Sequence, residues 1–169
     1  MVMESRQSPV ASRQPPTAWL NYTGVAMLTD DELVQGFEAG SLTAFPHAQH
    51  VRLTIIYLGR HGRDETLRKM CDGLLRFATA KGDPDKFHVT ITRAWIKLIE
   101  AARRAHPGIH DPGALVAACP QLLDQNALLR FYTPERLNSG EARQRWLPPD
   151  RASSIGIDVE ANSPEDPAV

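Results

Sequence analysis

The sequence predicts an all-α protein, a single compact bundle of about five to seven helices with flexible ends. Two patterns predict it. Apolar residues recur at helical spacing through the middle of the chain, and each such stretch is bracketed by residues that start or stop helices. The 169 residues suffice for one domain with a real core and are too few for two comfortable ones. Hydrophobic residues make up 42% and charged residues 23%, the balance of an ordinary globular domain.

Each element follows from local signals. Residues 1–26 are rich in Ser, Gln, Arg and Pro without a period and read as a flexible leader, tied down at most near Trp19, Leu20 and Tyr22. The helical domain spans 27–151, and 152–169 reads as a disordered tail. Thr29 followed by Glu32 is a capping-box pattern and Gly40 a terminator, which predicts a helix over about 30–39. Pro46 opens a second helix with a thick apolar face from Val51 to Leu58, ending near His61-Gly62. Asp64 is the expected cap of a third, ended by Gly82, and Asp83-Pro84 is expected to open a fourth through Phe87, Ile91, Trp95 and Leu98. His106-Pro107-Gly108 breaks it. Asp111-Pro112 starts a short fifth helix to Ala118, and another is expected from about Gln121 to Tyr132. Thr133-Pro134 opens one more turn, Ser139 caps a last helix to Trp146, and Pro148-Pro149 stops it. The β-branched runs Val51–Leu58 and Val89–Ile91 make strand the competing local reading, but the flanking caps favour helix.

Composition and charge narrow the function. The formal net charge is −1 and the arginines are scattered, so no strong field draws the chain to nucleic acid or an anionic membrane. No basic recognition helix stands out for a helix-turn-helix. No apolar run approaches the roughly 20 residues that cross a bilayer, and no apolar stretch follows the first charges to make a secretory signal. A cytoplasmic protein is expected, with Cys71 and Cys119 as buried free thiols and a homo-oligomer left open.

The chemical clue lies in three histidines. His47, His50 and His88 are each expected in the first turn of a helix, on or beside an apolar face. His47 and His50 are three apart and share a helical face. If their helix and that of His88 begin at the same end of the bundle, three ring nitrogens approach one point. Three protein ligands plus an open position is the pattern of a catalytic zinc site, and imidazole also suits iron, nickel or copper. The helix dipole favours the neutral ring, the form that binds metal or accepts a proton, and also the form that is most cheaply buried. No carboxylate ligand is obvious; Glu38, Glu100 and Asp150 are the candidates.

Other polar residues offer supporting roles. Thr90 and Thr92 lie within a turn of His88, and Thr92 is a candidate for positioning a substrate, or for bonding back to its own helix. Tyr57 is a candidate proton donor or a plain cap on the core. The segment from Arg143 to Arg151, including Asp150, reads either as a C-terminal lock or as a cover over one mouth of the bundle that supplies an Asp or Arg to an anionic substrate. There is no glycine-rich phosphate loop, nucleophile elbow or Cys-x-x-Cys pair.

Several of these motifs recur together. Phe45-x-His47-x-x-His50-Val51 with Tyr57-Leu58, then Lys86-Phe87-His88-x-Thr90-x-Thr92, then Arg130-Phe131-Tyr132-Thr133-x-Glu135-x-Leu137, then Ala142-Arg143 and Pro148 to Asp150, resembles a set of small uncharacterised bacterial proteins. The resemblance covers about 29–151 and implies a soluble all-helical domain without a defined chemistry. Many of its members carry one proline before the aspartate and Glu after the first His of the second motif; here Pro148-Pro149 and Val89 occupy those places.

Three readings remain. One is a small-molecule enzyme of hydrolase, lyase or isomerase type in which His47, His50 and His88 hold a divalent metal, with Thr92, Tyr57 and Asp150 around the substrate. A second keeps the enzyme without the metal, His88 as general base and His50 as acid or oxyanion partner. The third is a bundle that binds or sequesters a small molecule without transforming it.

Overall fold

The computed structural model describes residues 28–151 and builds them into seven α-helices and three short 3₁₀ turns, with no β-strand among the described residues. The leader and tail expected for 1–26 and 152–169, with Trp19, Leu20 and Tyr22, lie outside the described residues.

Helix α1 (Asp30–Ala39) begins with the expected capping box: the Thr29 hydroxyl accepts the Glu32 N–H, and the Glu32 carboxylate accepts the Thr29 N–H at 2.7 Å. Three acidic residues in its first turn complement the dipole. It ends at Gly40, whose φ of 68° places it in the left-handed region. Helix α2 (His47–His61) follows. Every residue from Leu53 to Leu58 is buried, because α1, α3, α4 and α5 all pack around this helix. Encirclement explains why its apolar run has no polar face and competes locally with strand. Arg52, mostly buried, ties α1 to α2 by donating to the Asp30 carboxylate and the Leu28 carbonyl.

Helix α3 (Arg63–Ala80) corrects one expectation. Asp64 does not cap it: the positive φ of Gly62 (76°) turns the chain directly into the helix, so Asp64 already lies within the first turn. Helix α4 (Val89–Ala105) corrects another. The Asp83-Pro84 signal opens only a 3₁₀ turn, Pro84–Lys86, after which Phe87 is extended and His88 becomes the N-cap of α4. His88 is therefore outside the helix rather than in its first turn.

Asp111 caps α5 (Pro112–Ala118), as expected. The helix expected from Gln121 to Tyr132 is instead two 3₁₀ turns, Pro120–Leu123 and Ala127–Arg130. The Asp124 carboxylate accepts the Asn126 N–H and diverts the backbone between them. Thr133 and Ser139 cap α6 (Pro134–Leu137) and α7 (Gly140–Gln144). Helix α7 stops two residues short of Trp146, because Arg145 is extended and its carbonyl is taken by the buried Thr90 hydroxyl.

Thr90 is a pivot between these parts. Its hydroxyl donates to the Arg145 carbonyl at 2.7 Å and accepts the Leu147 N–H at 2.9 Å, with no exposed surface. The Tyr132 hydroxyl donates to the Leu147 carbonyl, and the Asp150 carboxylate accepts from the Thr133 N–H and hydroxyl. The C-terminal segment is thus locked onto the start of α4. The contact between α1 and α3 is tight: a methyl group on Gly73 of α3 would overlap the ring of Phe37 from α1.

Two stability predictions follow from this packing. Thr90→Val keeps the shape but strands the Leu147 N–H and the Arg145 carbonyl, and should cost about 2–4 kcal/mol in denaturant unfolding; a loss under about 0.5 kcal/mol would show that the pivot is dispensable. Gly73→Ala gains about 1 kcal/mol of helix propensity, yet the overlap with a buried ring outweighs it. The variant should therefore melt below the parent by an equivalent of about 1 kcal/mol or more, whereas a higher melting temperature would mean that Phe37 repacks freely.

Candidate functional site: a histidine- and aromatic-lined cleft

A cleft of about 960 Å³ opens between the first half of α2, the end of α3 and the start of α4. Helix α2 contributes His47, His50 and Thr54 to its wall, α4 contributes Thr92 and Trp95, and His88 stands at its edge. The three histidines therefore border one space. What each ring does there differs.

His88 is fully engaged. As the N-cap of α4 its Nδ1 accepts the Ile91 N–H at 3.2 Å, and its Nε2–H donates to the Leu137 carbonyl at 2.8 Å. Two fixed partners set the tautomer and leave neither nitrogen for a metal or a substrate proton. Burial holds its pKa below the usual value, and the nearby Arg143 cation pushes the same way. His47 is half engaged. It meets the Leu122 carbonyl at 3.0 Å through Nε2, which must be the protonated nitrogen, and its ring packs on Trp95 with centroids 4.5 Å apart. Burial lowers its pKa as well.

His50 is the open ring. Neither of its nitrogens has a hydrogen-bond partner among the described residues, and its ring meets Phe45 edge-on at 4.1 Å. Burial, with a smaller contribution from His47, pushes its pKa down to about 3, so it is a neutral donor and acceptor at physiological pH. Its backbone carbonyl is occupied by the Thr54 hydroxyl, which keeps that side chain turned back onto α2.

The remaining candidates divide. Thr92 is buried and lines the cleft. Tyr57 does not reach it. Its hydroxyl donates to the Glu38 carboxylate at 3.1 Å on the side of α2 that faces α1 and α3, and burial raises its pKa well above the ordinary phenol value. Asp150 sits in its cap on Thr133, which lowers its carboxyl pKa. Of the other carboxylates, Glu38 pairs with Lys69 at 2.8 Å and Glu100 faces Arg63 at 3.7 Å, and neither lines the cleft. Among the described residues no group of three or more His, Cys, Asp or Glu side chains is arranged to hold a metal ion. Cys71 and Cys119 are buried free thiols, with burial pushing Cys71 up to about 11. No helix among the described residues is long and apolar enough to cross a membrane.

The histidine pattern did not point to the aromatic wall. Phe45, Phe77 and Trp95 occupy apolar helical or flanking positions that read as core, and Lys81 lies just past the end of α3. Arg143 lines the cleft near the turn before α4, where it donates to the Asp85 carbonyl. Of the segment from Arg143 to Arg151, read from the sequence as a lock or as a cover over one mouth, Arg143 is the member that lines the cleft. No protein-family model, curated protein or solved structure matches this chain.

The neutral state of these rings has a pH signature. Histidine in an unfolded chain titrates near pH 6.5. Below that value the unfolded chain takes up protons that the native cleft excludes, so stability is complete above about pH 6.5 and is lost as the pH falls towards the low native pKa values. Between about pH 7 and pH 5, His50 alone should account for roughly 1–2 kcal/mol of that loss. Denaturant unfolding at both pH values should show a shallower decline for His50→Gln than for the parent; identical declines would mean that His50 is not held neutral.

Proposed function

We propose that this protein binds a small, planar aromatic molecule in the cleft and acts as a binding or sequestration module rather than a histidine-driven catalyst. The supporting observation is the combination found in the cleft: aromatic side chains on its walls and, beside Phe45, one neutral imidazole without a hydrogen-bond partner among the described residues. Drug-sized ligands occupy sites of about 300–1,000 Å³, mostly apolar, with a few polar groups that fix orientation. This cleft has that size, and its lining combines apolar and aromatic side chains with polar and charged groups. Rings prefer offset or edge-on contacts, and an aromatic guest makes several of them at once against Phe45, Phe77 and Trp95.

The catalytic readings have less support. A general base works best with a pKa near the operating pH. His50 lies near 3, His47 is lowered and donates through one nitrogen, and His88 uses both nitrogens in its cap. A three-histidine metal centre would have to break the α4 cap to recruit His88.

The test is a panel of planar aromatic compounds carrying a hydroxyl or ring nitrogen, screened by thermal shift and calorimetry with and without a chelator. Binding should persist with the chelator and weaken about three- to tenfold in His50→Leu, the worth of one hydrogen bond. Trp95→Ala should weaken it further. If no aromatic compound binds, or if both variants bind like the parent, the reading fails; binding that disappears with the chelator restores the metal.

A further inference from the structure

The open His50 ring and a cation without an ion pair among the described residues, Lys81, are linked by one run of aromatic contacts. The His50 ring lies 4.1 Å from Phe45, Phe45 lies 5.9 Å from Phe77, and the Lys81 ammonium lies 5.5 Å over Phe77. Lys81 is exposed at the rim, donates once to the Thr43 carbonyl at 2.8 Å, and forms no ion pair among the described residues. An ammonium carries three donors, so two remain for a guest. Lys86, also on the rim, is paired with Asp83 at 3.1 Å. Arg143 makes no ion pair among the described residues either, donating instead to a backbone carbonyl. The charged residues that line the cleft are the cations Lys81, Lys86 and Arg143 and the carboxylates Asp83 and Asp85, so the rim carries a net positive charge. The neutral His50 adds no charge inside.

From this arrangement we propose that the ligand is an aromatic carboxylate: a planar ring system laid along Phe45 and Phe77, a neutral polar group hydrogen-bonded to His50, and the carboxylate held by Lys81. The inference rests on the aromatic-binding reading above and adds the charge of the ligand and its direction in the cleft. The carboxylate stays at the wet rim, where it keeps part of its hydration, and the hydroxyl goes inward to a group that needs a partner. An ammonium–carboxylate contact is charge-assisted and stronger than a neutral hydrogen bond. It is also weakened by salt, which a purely apolar fit is not.

A matched pair of probes tests it: hydroxynaphthoate and its neutral carboxamide, titrated into the full chain at neutral pH by fluorescence and calorimetry. The acid should bind about tenfold more tightly than the amide, a single charge-assisted hydrogen bond's worth. Lys81→Gln should bring the acid down to the amide's affinity and leave the amide unchanged, and added salt should weaken only the acid. Arg143→Gln, as a control for the general field of the rim, should have the smaller effect. Lys81 is exposed and outside the core, and a melting curve confirms that the variant is folded. Equal binding of acid and amide, or an acid indifferent to Lys81→Gln, overturns the carboxylate proposal while leaving the aromatic cleft standing. If neither probe binds at millimolar concentration and the aromatic panel is also silent, the cleft reading itself falls, and this proposal with it.

Discussion

The N-terminus of α4 organises the second half of this domain. A helix start exposes N–H groups that need acceptors, and here the His88 ring supplies one through Nδ1 while reaching across to the Leu137 carbonyl through Nε2. Two residues on, the Thr90 hydroxyl bridges the Arg145 carbonyl and the Leu147 N–H. Together they fix segments some fifty residues away in sequence to one turn of helix. The short helices α6 and α7 are too short to be stable alone and depend on that anchorage. Arg143 and one edge of the cleft depend on it in turn.

The same physics sets the chemistry of the cleft. Imidazoles close to apolar and aromatic side chains lose the hydration that would support a charge, so all three histidines are held towards the neutral form. Neutral rings with satisfied nitrogens are structural elements, as His88 is, and largely His47. The His50 ring, with no hydrogen-bond partner among the described residues, keeps its donor and acceptor uncommitted at the wall of a roomy cleft. Charge is confined to the rim, where lysine, arginine and aspartate side chains remain in contact with water.

Much of the scaffold was readable in the chain. Thr29 with Glu32, Asp111, Thr133 and Ser139 each mark a helix start, because a short polar side chain followed by a free N–H three residues on is a local arrangement. Local reasoning failed where two local signals competed. Asp64 resembled a cap, but the backbone freedom of Gly62 placed the helix start two residues earlier. The apolar spacing from Leu122 to Leu129 resembled a helix, but Pro120 and the Asp124 turn held the segment in 3₁₀ geometry. The site was legible to the extent that His47, His50, His88 and Thr92 do line one cleft. It was not legible which ring nitrogens are free, since the acceptors of His47 and His88 lie 75 and 49 residues away.

The amino-acid sequence by itself determined that the domain is helical, where most of its helices begin, and that three histidines lie near an apolar interior, since caps and periodicity act over a few residues. Only the tertiary structure decided which of those histidines is free, that Tyr57 and Asp150 face elsewhere, and that Phe45, Phe77 and Lys81 form a continuous wall. Those outcomes depend on partners distant along the chain, and a hydrogen-bond acceptor or an aromatic neighbour is assigned only when packing brings it within a few ångströms.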